Sequence, residues 1–225
     1  MKNEKPIIFS AEMVKAILDG RKTVTRRVMI PQPVLVTAGS GREKLCIWVN
    51  SGGCWYCPIE YAVQNKLARY QVGDLLWVKE TYCHGIEWDD CKPSEVDPLC
   101  GGNDIWYFAD GERPTEGWGK KRSSRFMPKW VARIFLEVVS VRAERLQVVS
   151  WADIRQEGVD CPDFSLRKAF KELWDKLSHK RGYGWVTNPW VWRIEFKIIK
   201  PRRAGIVNNN GIKSLETPRL KNAPK

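Results

Sequence analysis

Patterned segments follow one another along this chain in an order that a regular parallel α/β sheet cannot accommodate: strand, helix, several strands, two helices, strand. "PIIFS" reads as a short strand leading into a helix with Ser10 as N-cap and an apolar stripe of Met13, Val14, Ile17 and Leu18. Gly20 stands where a left-handed residue ends a helix. "TVTRRVMI" then emerges as a strand, which Pro31 and Pro33 end, opening an irregular stretch over 34–70. "DLLWVKETY" (74–82), "DIWYFAD" (104–110), "RIFLEVVSVRAERL" (133–146) and "WVWRIEFKII" (190–199) are strand candidates, rich in β-branched and aromatic residues. Between the last two lie a short helix, capped by Ser150 with Asp153 and stopped by Gly158, and a helix after Ser165. The second carries Leu166, Phe170, Leu173, Trp174 and Leu177 at helical spacing. Strands predominate and the helices are short. The expected class is α+β: a small mixed or antiparallel β-barrel with short peripheral helices and insertions. Residues 6–199 read as one domain, with irregular insertions at about 34–70 and 84–117, and 200–225 as a flexible basic tail.

A formal charge of +12 over 225 residues favours a polyanionic partner. The charge is uneven. Residues 84–117 hold nine acids against two bases, whereas "GKKRSSRFMPKWVAR" (119–133) holds six bases and no acid. No window is long and apolar enough to suggest a membrane span, and "MKNEKPIIFS" has no signal-peptide core, so the expected setting is soluble and cytoplasmic. Seven cysteines suit a reducing compartment. With only two histidines, His84 and His179, acid–base chemistry would rest on Lys, Glu, Asp, Tyr or Cys.

The stretch "ILDGRKTVTRR" concentrates Arg21, Lys22, Arg26 and Arg27 around two threonines. Like charges beside Lys22 would lower its pKa, and a lysine nearer neutrality can serve as general base to a hydroxyl such as Thr25. In a straight strand Thr25 and Arg27 share one face and Lys22 the other, so Lys22 meets Thr25 only if the chain bends. The plainer reading is a basic run complementing a helix C-terminus.

Three further constellations stand out. Lys120, Lys121, Arg122, Arg125 and Lys129, interleaved with Ser123, Ser124, Phe126 and Trp130, form a candidate phosphate-contacting surface, which the acidic 84–117 stretch could cover. Trp77 and Trp130 each neighbour a lysine and are candidate base-stacking residues, although core packing is the usual fate of tryptophan. Cys54 and Cys57 in "CWYC", with Cys46, make half of a structural zinc site. A fourth ligand would come from Cys83, His84, Cys91 or Cys100, and free thiols are the alternative. No cofactor is otherwise required.

The turn "GRKTVTRR" resembles the signature of the ASCH domain, a PUA-like β-barrel family. The resemblance continues through "YQVGDLLWVKETY", "FMPKWVARIFLEVVSVRAERLQ", "ADIRQEGV", "FKELWDKL" and "NPWVWRIEF", which look like the phage and prophage branch of that family and span most of 6–199. It implies a PUA-like pocket lined by the turn, with RNA or a modified nucleoside as ligand and DNA as a further candidate. One branch of the family deacetylates N4-acetylcytidine. Carried over, its pattern implies Lys22 as base, Thr25 as nucleophile and Glu157 as proton shuttle. Arg27, on the same strand face as Thr25, could steady an oxyanion or hold a phosphate. Three readings follow: a binder of RNA or modified nucleoside, a hydrolase acting on acylated cytidine or nucleic acid in the same pocket, and a phage accessory module that binds protein.

Overall fold

The computed structural model describes residues 3–37, 43–50, 54–58, 68–96, 98, 105–113 and 116–199. Strand β1 (Glu4–Ile8) leads through Phe9 and the N-cap Ser10, whose Oγ accepts from the Met13 amide, into helix α1 (Ala11–Leu18). Val14, Ala16 and Ile17 bury the inner face of that helix, while Leu18 stays nearly half exposed. Gly20, at φ 73°, turns the chain, and β2 (Val24–Val28) follows.

The main sheet has the order β1-β6-β9-β10-β2, with β6 (Leu75–Lys79), β9 (Phe135–Arg145) and β10 (Trp190–Ile199) at its centre. β1 and β6 run parallel and the other pairs antiparallel, so the α+β class and the mixed sheet are as expected. The expected barrel is corrected in one respect: the described ladder is open between β1 and β2, so hydrogen-bonded strands do not close it. The sheet nevertheless curls until these edges approach, because Arg27 Nη2 donates to the Ile8 carbonyl across the gap at 2.8 Å.

Residues 74–82 do not form one strand. β6 ends at Lys79, and after Glu80 the chain joins a small antiparallel pair, β7 (Tyr82–His84) with β8 (Ile105–Tyr107). Glu80 is buried and held by Arg133 Nε and Nη2 at 2.9 and 3.0 Å, which fixes the departure point. The expected irregular stretch over 34–70 is also corrected. β3 (Val34–Thr37), β4 (Glu43–Asn50) and β5 (Cys54–Pro58) make an antiparallel three-stranded meander. The tail over 200–225 lies outside the described residues.

Two helices lie over the β2–β10–β9 side. Helix α2 (Trp151–Gln156) has a complete capping box between Ser150 and Asp153. Helix α3 (Asp163–Ser178) starts two residues before Ser165, whose hydroxyl donates to the Pro162 carbonyl. Ile154, Leu166, Phe170 and Trp174 of these helices pack with Leu146, Val149 and Val191 into one core. Ile7, Phe9, Val14, Ile17, Leu76 and Ile194 belong to the other, between α1 and the curled sheet.

Candidate functional site

Lys22 is 1% exposed. Its Nζ donates to Glu157 Oε2 at 2.7 Å, to the Glu157 carbonyl at 2.8 Å and to the Val24 carbonyl at 2.9 Å. Burial lowers its pKa from the ordinary lysine value, opposed by Glu157; Arg27 and Arg26 contribute less. The direction matches the one expected from the neighbouring arginines, but its main cause is desolvation. Three acceptors within 2.9 Å need three N–H groups, which only the ammonium form has. The side chain is thus held as a cation with every donor used.

The segment after α1 is placed by close backbone contact. An isolated antiparallel bridge joins Lys22 to Glu157, and the Thr23 amide donates to the Gln156 carbonyl. Gly158 makes this approach possible. It sits at φ 84°, and a Cβ there would lie 2.7 Å from Ala16 Cβ and 3.0 Å from Lys22 Cβ. Glu157, the C-terminal cap of α2, is thereby driven to the base of β2 and is 5% exposed.

Arg26 closes the network. Its Nη1 donates to Glu157 Oε1 at 3.1 Å, and its Nε to Glu144 Oε1 at 2.8 Å. Across the sheet Arg26 lies opposite Arg193, and Arg193 opposite Arg142, so three arginines stand side by side on adjacent strands. Asp153, Glu144 and Glu195 neutralise that row. Asp153 Oδ1 accepts from Arg193 Nε and Nη2, and Glu195 from Arg193 Nη1. Arg26 serves this row, which leaves little of its charge for a ligand.

Thr25 and Arg27 alternate with Arg26 along β2. With Arg26, Glu157, Phe170 and Trp174 they line a chamber of about 150 Å³ beneath α3. Among the described residues the Thr25 hydroxyl has no hydrogen-bond partner, and Lys22 reaches the Val24 carbonyl rather than that hydroxyl. Arg27, Val28 and Arg181 also line a wider groove of about 640 Å³ between the edges of the sheet. Arg27 lies 5.3 Å from the Phe9 ring centroid. Of the four basic residues of the turn, Arg26 and Arg27 line the chamber, whereas Lys22 and Arg21 do not. Lys22 lies buried behind Glu157. Arg21 lies apart from both. It is exposed and ties Asp19 and the Gly158 carbonyl.

The basic stretch 119–133 is dispersed. Arg122 is 7% exposed and its guanidinium serves the carbonyls of Trp88 and Cys91, so it is a clamp for the acidic segment. Lys129 pairs with Glu4 and Lys121 lies over the Phe108 ring. Lys120 uses its amide on Asp89, and Arg125 lines the groove. The two candidate stacking residues each have one face in use: Lys79 Nζ lies 5.4 Å from the Trp77 ring, and Trp130 stacks on His84. The side chains of Cys46, Cys54 and Cys57 lie outside the described residues. Among those described, no group of three or more His, Cys, Asp or Glu could hold a metal ion. No helix among them is long and apolar enough to cross a membrane. Arg69 and Arg181, which line the groove, were not legible as site residues because each lies far in sequence from the basic turn.

No family model and no curated protein matches the chain. Among solved structures it is similar to an ASCH domain from Lactobacillus crispatus JV V101, at 14% identity and a TM-score of 0.39, over 87% of this chain and 79% of that one.

Proposed function

We propose that this protein binds RNA or a modified nucleoside, with one base in the chamber beneath α3. The observation that carries this reading is the chamber itself. Polar groups fixed in place by the Lys22–Glu157–Arg26 network stand opposite the aromatic and aliphatic walls supplied by Phe170, Leu173 and Trp174. A cavity of this volume admits a single six-membered ring, and an apolar pocket with a few fixed polar groups is the usual form of a small-ligand site. The resemblance of "GRKTVTRR" to the ASCH signature supports the same ligand class.

Titration calorimetry with cytidine, N4-acetylcytidine and a short single-stranded RNA tests this reading. Thr25→Val, which keeps shape and removes the hydroxyl, should weaken binding by about 0.5–1.5 kcal/mol, the net worth of one hydrogen bond. Leu173→Trp, at a half-buried wall position, should block it. Binding unchanged by both variants would remove the base from the chamber.

A second reading, deacylation of an acylated cytidine, is favoured by one observation: the unengaged Thr25 hydroxyl shares the chamber with Glu157. The saturated ammonium of Lys22 weighs against it, since a base must first release a proton. Mass-spectrometric turnover of N4-acetylcytidine by the wild type, lost in Thr25→Val, would place this reading first.

A further inference from the structure

We propose that the groove between the two edge strands is a phosphate subsite for the backbone of a single-stranded nucleic acid, so that the chamber's ligand is one nucleotide within a strand rather than a free nucleoside. This rests on the reading of the chamber as a base site.

The groove collects Arg27, Arg69, Lys79, Arg125 and Arg181 from five separate parts of the chain, with no carboxylate among its described lining residues. The buried and half-buried cations elsewhere in the sheet are neutralised by carboxylates: Lys5 by Asp74, Arg26 by Glu144 and Glu157, Arg133 by Glu80 and Asp110, Arg193 by Asp153 and Glu195. None of the five groove cations forms an ion pair with a described residue. Three of them hold a carbonyl or a serine hydroxyl instead: Arg27 the Ile8 carbonyl, Lys79 the Arg125 carbonyl, Arg181 the Ser178 hydroxyl. Like charges gathered without counter-charges repel one another, and a polyanion relieves that repulsion.

Size and order favour a strand over a mononucleotide. The groove, at about 640 Å³, is much larger than the chamber at about 150 Å³. Arg27 and Arg181 line both spaces, so they stand where the base-bearing nucleotide would carry its phosphate. Arg69, Lys79 and Arg125 line the groove alone and are placed for the phosphates that follow. Ile8 and Ile30, 46% and 66% exposed, give the groove apolar wall for sugars. Cationic grooves that track a backbone beside a base-holding site are the common plan of single-strand binders.

The test uses the full chain and fluorescence anisotropy with labelled single-stranded RNA and DNA of one short mixed sequence, together with calorimetry of cytidine and its 5′-monophosphate. The wild type should bind the strands far more tightly than the nucleoside, with affinity falling steeply in salt. Arg69→Ala, Arg125→Ala and Arg181→Ala, all at exposed positions, should each weaken strand binding and reduce the slope of log K against log salt by about 0.7. Lys168→Ala and Lys171→Ala, exposed on α3 outside the groove, control for net charge and should leave the slope unchanged. A preference between the RNA and DNA arms identifies the source of the strand.

Groove variants that bind like wild type, while Thr25→Val and Leu173→Trp lose binding, would overturn the phosphate subsite and leave the base site standing. Nucleoside and strand bound equally, without salt dependence, would overturn it as well. No binding of any probe by the wild type would overturn both readings.

Discussion

Lys22 carries a charge with almost no water around it, and that fixes what a substitution there can report. Its ammonium bonds Glu157 and two carbonyls, so truncating it leaves three buried acceptors short of a donor. Removing one member of a buried ion pair typically costs 3–5 kcal/mol, and Lys22→Met should lose roughly that in urea unfolding. The double variant Lys22→Met/Glu157→Gln should recover part of the loss, since it removes the stranded charge together with its partner. A cost near that of an exposed lysine would show that the network does not anchor the turn. A loss of function in Lys22→Ala therefore does not by itself identify a base. Thr25 discriminates better, because its hydroxyl faces the chamber without supporting anything around it.

At the scale of the element, the site depends on how firmly α2 is seated on the sheet. Asp153 does two jobs: its Oδ2 accepts from the Ser150 hydroxyl and amide as a helix cap, and its Oδ1 accepts from Arg193 on β10. Burial alone would raise its pKa, but Ser150, Arg193 and Arg26 together hold it below the ordinary aspartate value. A carboxyl depressed in the folded state contributes stability that is fully present above its unfolded pKa of about 3.9 and is lost as pH falls through the lower folded value. Urea midpoints followed downward from about pH 5 should fall for the wild type. Asp153→Asn should begin lower and fall less over that range; an unchanged acid slope would mean that the clamp is not coupled to folding. Much of this element was legible in advance, because a capping box and a glycine stop are local signals. The row Arg26–Arg193–Arg142 was not, since it arises from strand register and joins residues far apart in the sequence. The turn residues Lys22 and Thr25 stood out by composition and by resemblance. The groove did not, because Arg69 and Arg181 acquire meaning only when the sheet curls. The meander over 34–58 was missed for another reason: its strands are joined by segments rich in Gly and Ser, which read as irregular chain.

At the scale of the molecule, the chamber exists only because two cores meet on one strand. Val191 of β10 packs under α2 and α3, whereas Trp192, Ile194 and Phe196 of the same strand face the core of α1 and the curled sheet. Hydrogen bonds reinforce the join: the Leu146 amide donates to the Pro189 carbonyl, and Arg193 reaches Asp153 and Gln156 of the α2 segment. Arg167 of α3 donates to the Gln147 carbonyl, and Trp174 Nε1 to the Tyr183 carbonyl. With no apolar plane separating the layers, they should unfold as one unit. Phe170 gives the means to check this, being 3% exposed and a wall of the chamber. Phe170→Ala should cost about 3–5 kcal/mol, as large-to-small changes in a packed core do. In native-state hydrogen exchange, the most protected amides of α3 and of β10 should lose protection by the same amount. If the α3 amides alone became labile, α3 would be a separable cover and the chamber could open without unfolding the sheet. If both fall together, the chamber is part of the global fold, and any ligand held in it should raise the protection of α3 and β10 equally.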